Sequence, residues 1–72
     1  MNNTVNGKPR TTDTNGAAEF PLLAFLRVHD VNPKVVAVAI NGDVIPKACY
    51  DTAVVREDDD LEIVRMVGGG AR

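Results

Sequence analysis

Val36-Ala37-Val38-Ala39-Ile40, then Asn41-Gly42, then Asp43-Val44-Ile45-Pro46, is the stretch on which the fold turns. Large side chains at 36, 38 and 40 alternate with alanines at 37 and 39, and a period of two puts the large ones on one face of a strand. Asn41-Gly42 supplies the two positive φ angles that a type I′ turn demands, so the chain reverses there as a hairpin. Val44-Ile45-Pro46 reads as a short return strand that ends at its proline.

Working outward toward the C-terminus, Lys47 to Arg56 carries no clear period and is expected to be irregular or a short helical turn. Glu57-Asp58-Asp59-Asp60 is an acidic turn. Leu61-Glu62-Ile63-Val64-Arg65-Met66-Val67 alternates again and reads as the last strand, with Leu61, Ile63 and Val67 on one side and Val64 and Met66 on the other. Toward the N-terminus, Pro21 to His29 is the one good helix candidate. Pro21 suits the first helical position, where its missing N–H is not needed. Leu22, Phe25 and Leu26 recur at helical spacing, with Leu23 flanking. Asn32-Pro33 is expected to stop this helix. His29 falls in its last turn, where the helix dipole favours a cation. Before it, Thr11 to Ala18 is a polar loop with a second Asn-Gly at Asn15-Gly16, and Thr4 to Arg10 is a hairpin around Asn6-Gly7. Pro9 cannot donate to a ladder, so the second strand belongs at a sheet edge.

The order strand, strand, helix, strand, short strand, strand predicts an α+β domain with one helix on one face of a sheet. Leu22, Leu26, Val38, Ile40, Leu61 and Ile63 are expected to share the core. At 72 residues, 44% hydrophobic and 4% aromatic, the chain has room for one domain. A domain this small buries only roughly 60% of the surface its unfolded chain exposes, so the core is thin. Eight basic and ten acidic residues give a net charge of −2, which speaks against a nucleic-acid binder, since neutralising phosphates takes a clustered Lys/Arg surplus. One Cys excludes an internal disulfide, and with one His it falls short of a zinc shell. The polar start Met1-Asn2-Asn3-Thr4 carries no signal-peptide pattern, and the longest apolar run, Val35 to Ile40, is far too short to span a membrane. The expectation is a cytoplasmic domain with no membrane partner, too small and too poor in convergent polar groups for an enzyme pocket.

Three of the six glycines lie in the last five residues, Gly68-Gly69-Gly70-Ala71-Arg72. Glycine loses the most entropy on ordering, so residues 68–72 are expected to be a slim tail on a domain of residues 1–67. A chain end without side chains suits threading into a narrow active site. Here Val38 to Lys47, Asp58 to Val64, Val67-Gly68-Gly69-Gly70 and the opening Val5-Asn6-Gly7 together resemble the ThiS family of sulfur-carrier proteins of thiamine biosynthesis, over about residues 4 to 70. The resemblance implies a ubiquitin-like β-grasp fold, with a mixed sheet of four or five strands whose last strand lies beside the first.

It also implies a protein cosubstrate rather than an enzyme, with no bound cofactor. A ThiF-like adenylyltransferase would consume ATP to adenylate the carboxylate of Gly70, with Gly68 and Gly69 as linker. A persulfide from a donor such as a cysteine desulfurase would displace AMP, and the resulting thiocarboxylate would pass sulfur to a ThiG-like thiazole synthase. Such carriers end at their last glycine, whereas this chain continues through Ala71-Arg72. An intact amide after Gly70 blocks adenylation. The two residues are then either trimmed by a peptidase, foreign to the natural chain, or the mark of a stored precursor; trimming is the reading adopted. Related alternatives are a MoaD-like carrier for molybdopterin synthesis, which would have a proline- and aromatic-containing approach to its glycines, and a non-reactive ubiquitin-like binding module or modifier.

The remaining chemistry-bearing residues have plain readings. Cys49 is expected to be a small buried hydrophobe, and the acidic run a solvated turn or a steering charge for a basic partner surface. Val64, Arg65 and Met66, beside the glycines, are the expected partner-docking residues, unless the short return strand covers them.

Overall fold

The computed structural model describes residues 1–66; residues 67–72 lie outside it, and with them the expectations for Val67, the glycine linker, Gly70 and Ala71-Arg72. Seven strands and one helix follow in order: β1 Asn2–Val5, β2 Lys8–Thr11, β3 Glu19–Pro21, α1 Leu22–Val28, β4 Val36–Ile40, β5 Asp43–Val44, β6 Val54–Arg56 and β7 Asp60–Arg65. Five strands form one mixed sheet in the order β2-β1-β7-β4-β5. β7 is its middle strand, parallel to β1 and antiparallel to β4. This is the β-grasp arrangement, and β2 is an edge strand, as Pro9 requires.

The turn asparagines do more than turn. Asn6 and Asn41 both have positive φ, 53° and 52°, each followed by a glycine at 81° and 86°, which is the type I′ geometry. Each then aims its side-chain amide at β7. Asn6 Nδ2 donates to the Ile63 carbonyl at 3.0 Å and its Oδ1 accepts from Ile63 N at 2.8 Å. Asn41 Oδ1 accepts from Asp60 N at 2.9 Å, and its Nδ2 donates to Asp59 Oδ1 at 2.9 Å. A side-chain amide thus replaces the backbone partner that β7 loses where each neighbour turns away.

α1 lays Leu22, Phe25 and Leu26, all fully buried, on Val36, Val38 and Leu61. The spacing i, i+3, i+4 gives one face. Ile40 and Ile63, expected in the core, are half-buried and pack against its margin. The helix ends before Asn32-Pro33 is reached. Val31 N donates to the Leu26 carbonyl at 2.8 Å and Asp30 N to the Arg27 carbonyl at 3.1 Å, with Asp30 at φ 62°. That pair of bonds is a Schellman motif with Asp in the left-handed position that glycine usually takes.

Other expectations are corrected. Pro21 is not the first helical residue; it is the N-cap, at the end of β3, and the next amide, Leu22 N, donates to the Ala53 carbonyl at 2.9 Å. β3 pairs with β6 as a separate two-stranded sheet, Phe20 opposite Val55. The segment 47–56 is therefore irregular only in part: a 3-10 turn at Lys47–Cys49, then β6. It delivers two core residues, Tyr50 and Val55. The return strand is Asp43–Val44, shorter and earlier than the sequence predicts, although Ile45 N still donates to the Val38 carbonyl. Cys49 is exposed. The 3-10 turn directs Tyr50 inward, where its hydroxyl donates to the Val36 carbonyl at 3.1 Å, and the residue before it consequently faces out.

Candidate functional site: the end of the central strand

β7 carries the chain to its last described residue. Met66 N donates to the Val35 carbonyl at 2.8 Å, one rung beyond the Val36–Arg65 pair, so the exit is pinned to the strand's neighbour. That neighbour is braced from behind. Lys47 Nζ donates to the carbonyls of Pro33 and Lys34 at 3.0 and 2.9 Å, satisfying a 3-10 turn that has no helix to continue into. Met66, the last described residue, is thus tied through its amide to the residue before β4.

The two faces of β7 differ at this point. On the face away from α1, Val64 and Met66 are 60% and 50% exposed, and Val44 of β5 is 73% exposed. Ala37 lies opposite Val64 and Ala39 opposite Val44, so small side chains between the large ones keep the surface low and open. The short return strand does not cover Val64 or Met66, because β4 lies between it and β7. Val64 and Met66 are thus open to solvent on this face. Arg65 belongs to the other face. It pairs with buried Val36 and lines a cleft of about 440 Å³ on the helix side. The three expected docking residues therefore sit at one exit but on two faces.

His29 borders the same cleft. Its ring tilts over Phe25 with centroids 4.5 Å apart, and its Nε2 is hydrogen-bonded to the buried Thr12 hydroxyl at 2.7 Å. Burial, and then the positive charge of Arg10, lower its pKa below the ordinary histidine value. This corrects the expectation of a dipole-stabilised cation: desolvation and a like charge outweigh the C-terminus of a two-turn helix. The acidic turn lies at the opposite end of β7. Asp59 works there as a connector, its Oδ2 accepting from Arg56 N at 2.8 Å and its Oδ1 from Asn41. Arg10, which the sequence reading did not single out, comes to the cleft through the β1–β2 hairpin register, opposite buried Asn3. Only alternation along a correctly registered β2 would have found it.

Among the described residues no helix is long and apolar enough to cross a membrane. A model of the ThiS family matches residues 4–70. The thiazole synthase of Paramagnetospirillum magneticum is 36% identical over 67 residues, which are 93% of this chain and 19% of that protein. The chain thus spans about a fifth of the length of the thiazole synthases it matches. The uncharacterized protein ycf40 of Porphyra purpurea is 30% identical over 66 residues, 92% of this chain and 87% of that one. Among solved structures, the crystal structure of a thiamine biosynthesis protein (ThiS) from Geobacter metallireducens superposes with a TM-score of 0.81 at 37% identity, over 97% of this chain and all of that one.

Proposed function

The chain belongs to the ThiS family, and from that premise we propose that it is a sulfur carrier whose reacting group is the carboxylate of Gly70. The observation that carries this reading is the extent of the family match. It runs through residue 70 and stops, leaving Ala71-Arg72 outside the shared sequence, and it begins upstream on a sheet that fixes where the terminal segment departs. A carrier needs that combination: a rigid body that a partner recognises, and a terminus slender enough to enter the partner's active site.

In this proposal the role is that of a cosubstrate. The Gly70 carboxylate attacks the α-phosphate of ATP on a ThiF-like adenylyltransferase, releasing pyrophosphate and leaving a glycyl adenylate. A persulfide sulfur attacks the carbonyl carbon and AMP leaves. A thiol then cleaves the S–S bond of the acyl disulfide, giving the thiocarboxylate and a new disulfide. Gly68 and Gly69 pass through the approach channel because they have no Cβ. The reaction requires that carboxylate to be free, as it is in a chain ending at Gly70. The sulfur acceptor is of the thiazole synthase class; the support is that thiazole synthases contain, within one polypeptide, a stretch resembling nearly all of this chain.

The exposed Val64 and Met66 form the apolar part of the docking surface. Val64→Asp and Met66→Asp should keep the thermal midpoint of the parent while weakening binding to the adenylyltransferase, since each desolvates a charge against an apolar partner. Equal affinity for both variants would remove this face from the contact. The function itself is tested by intact mass. A chain ending at Gly70, incubated with the adenylyltransferase, ATP and a sulfide source, should gain the mass difference between sulfur and oxygen. The chain ending at Arg72 should gain it only after a peptidase is added, and Gly69→Val in the trimmed chain should not gain it at all. A trimmed chain that stays unmodified with a competent enzyme would contradict the proposal.

A further inference from the structure

α1 has seven residues, about 10 Å of helix, whereas the six residues of β7 extend about 20 Å. The helix therefore covers only part of the sheet face beneath it. The inward positions of β7 record this directly: Leu61 is fully buried, Ile63 half-buried and Arg65 exposed. Past the helix end the face opens into the cleft of about 440 Å³, floored by Val5, Val36 and Ile63.

Two arginines line it. Arg10 stands opposite buried Asn3 and Arg65 opposite buried Val36, so the register puts both on the helix-side face. Among the described residues the one ion pair is Arg56 with Glu19, so neither cleft arginine has a carboxylate within salt-bridge distance there. Asp30 is the single acidic residue lining the cleft. His29, at the cleft's edge, has its pKa lowered by burial first and by the positive charge of Arg10 second.

The cleft belongs to a larger polarity. β7 begins at Asp60, after Glu57, Asp58 and Asp59, and ends at Arg65. Because β4 is antiparallel to β7, the 3-10 turn with Lys34 lies at the Arg65 end, and Lys47 Nζ reaches that turn, whereas Lys8, opposite Val5 in the row of Leu61, lies at the start of β7. A chain of net charge −2 thus presents a positive end where residues 67–72 depart. We propose that this positive end is, with the apolar face of Val64 and Met66 at the same exit, part of the surface that meets the adenylating enzyme, and that the enzyme meets it with an acidic rim, one carboxylate side chain seating in the cleft lined by Arg10 and Arg65. The proposal rests on the carrier reading above. An enzyme that takes hold of residues 67–70 must cover the surface around Arg65, and a collar of cations there offsets the repulsion between an acidic rim and the incoming terminal carboxylate. The acidic turn lies at the other end of β7, about 20 Å from Arg65, and in this proposal it is not part of the contact.

The test is affinity of the Gly70-terminated chain for a ThiF-like adenylyltransferase at low and high ionic strength. Parent binding should weaken as salt rises. Arg10→Glu with Arg65→Glu should weaken it by roughly tenfold or more at low salt and flatten the salt dependence. Arg10→Ala with Arg65→Ala should do so to a smaller extent; both arginines are exposed, and thermal melting checks that each variant remains folded. Asp30→Asn should tighten binding, and Glu57→Gln with Asp58→Asn should leave it unchanged. Arginine variants that bind like the parent, or an acidic-turn variant that is the one to weaken, would overturn the inference while leaving the carrier reading in place. A parent chain that is neither bound nor adenylated would overturn both.

Discussion

At the C-cap of α1 the imidazole of His29 is held by Thr12 and Phe25 in a setting that disfavours its charged form, through burial first and Arg10 second. The folded chain therefore binds a proton at this site less readily than the unfolded chain does. Stability from the neutral ring is complete above about pH 6.5 and declines as pH falls below it, toward the lower folded pKa. Denaturant midpoints should drop between pH 7.5 and pH 5, and His29→Gln should remove part of that drop; a midpoint independent of His29 in this window would contradict the assignment. Asp30, one residue on, occupies a left-handed position at φ 62°. Asp30→Gly relieves that strain and should raise stability by roughly 0.5–1 kcal/mol in chemical denaturation. Asn6 offers the converse experiment. Asn6→Gly keeps the turn but deletes both bonds to Ile63, at a cost of about 1–3 kcal/mol, and Asn6→Ala should cost more because it adds the positive-φ penalty.

At the scale of elements, the stability of the sheet converges on β7, the one strand paired on both sides by the first and fourth strands. Leu61→Ala, at a fully buried position under Leu22, Phe25 and Leu26, should cost about 2–5 kcal/mol, and Ile63→Ala at the cleft margin should cost less. Equal losses would mean that α1 covers the whole strand. The same gradient explains what the sequence could reveal. The alternation at 36–40 and 61–65, the Asn-Gly turns and the i, i+3, i+4 face of the helix are local patterns, and each lies in the structure where its period puts it. β3 and β6 have three residues each, too few for a period to emerge. Tyr50 enters the core through a 3-10 turn whose only local sign is Pro46 before it. The exposure of Val64 and Met66 was legible from alternation, but the cleft beside Arg65 was not, because it depends on where a short helix stops. Arg10 joins that cleft from the far end of the chain, through strand pairing that no local pattern encodes.

At the scale of the whole molecule, a thin core under one short helix supports a sheet whose middle strand ends at a pinned exit, with an apolar patch on one side and a cationic cleft on the other. In the proposed role this body presents the carboxylate of Gly70 to an enzyme that activates it with ATP. The most direct measurement is ATP–pyrophosphate exchange catalysed by a ThiF-like adenylyltransferase, which reads formation of the glycyl adenylate before any sulfur is involved. The chain ending at Gly70 should support exchange at a rate that saturates with its concentration, and the chain ending at Arg72 should support none. Exchange supported equally by both chains, or by neither, would contradict the claim that Gly70 is the reacting terminus.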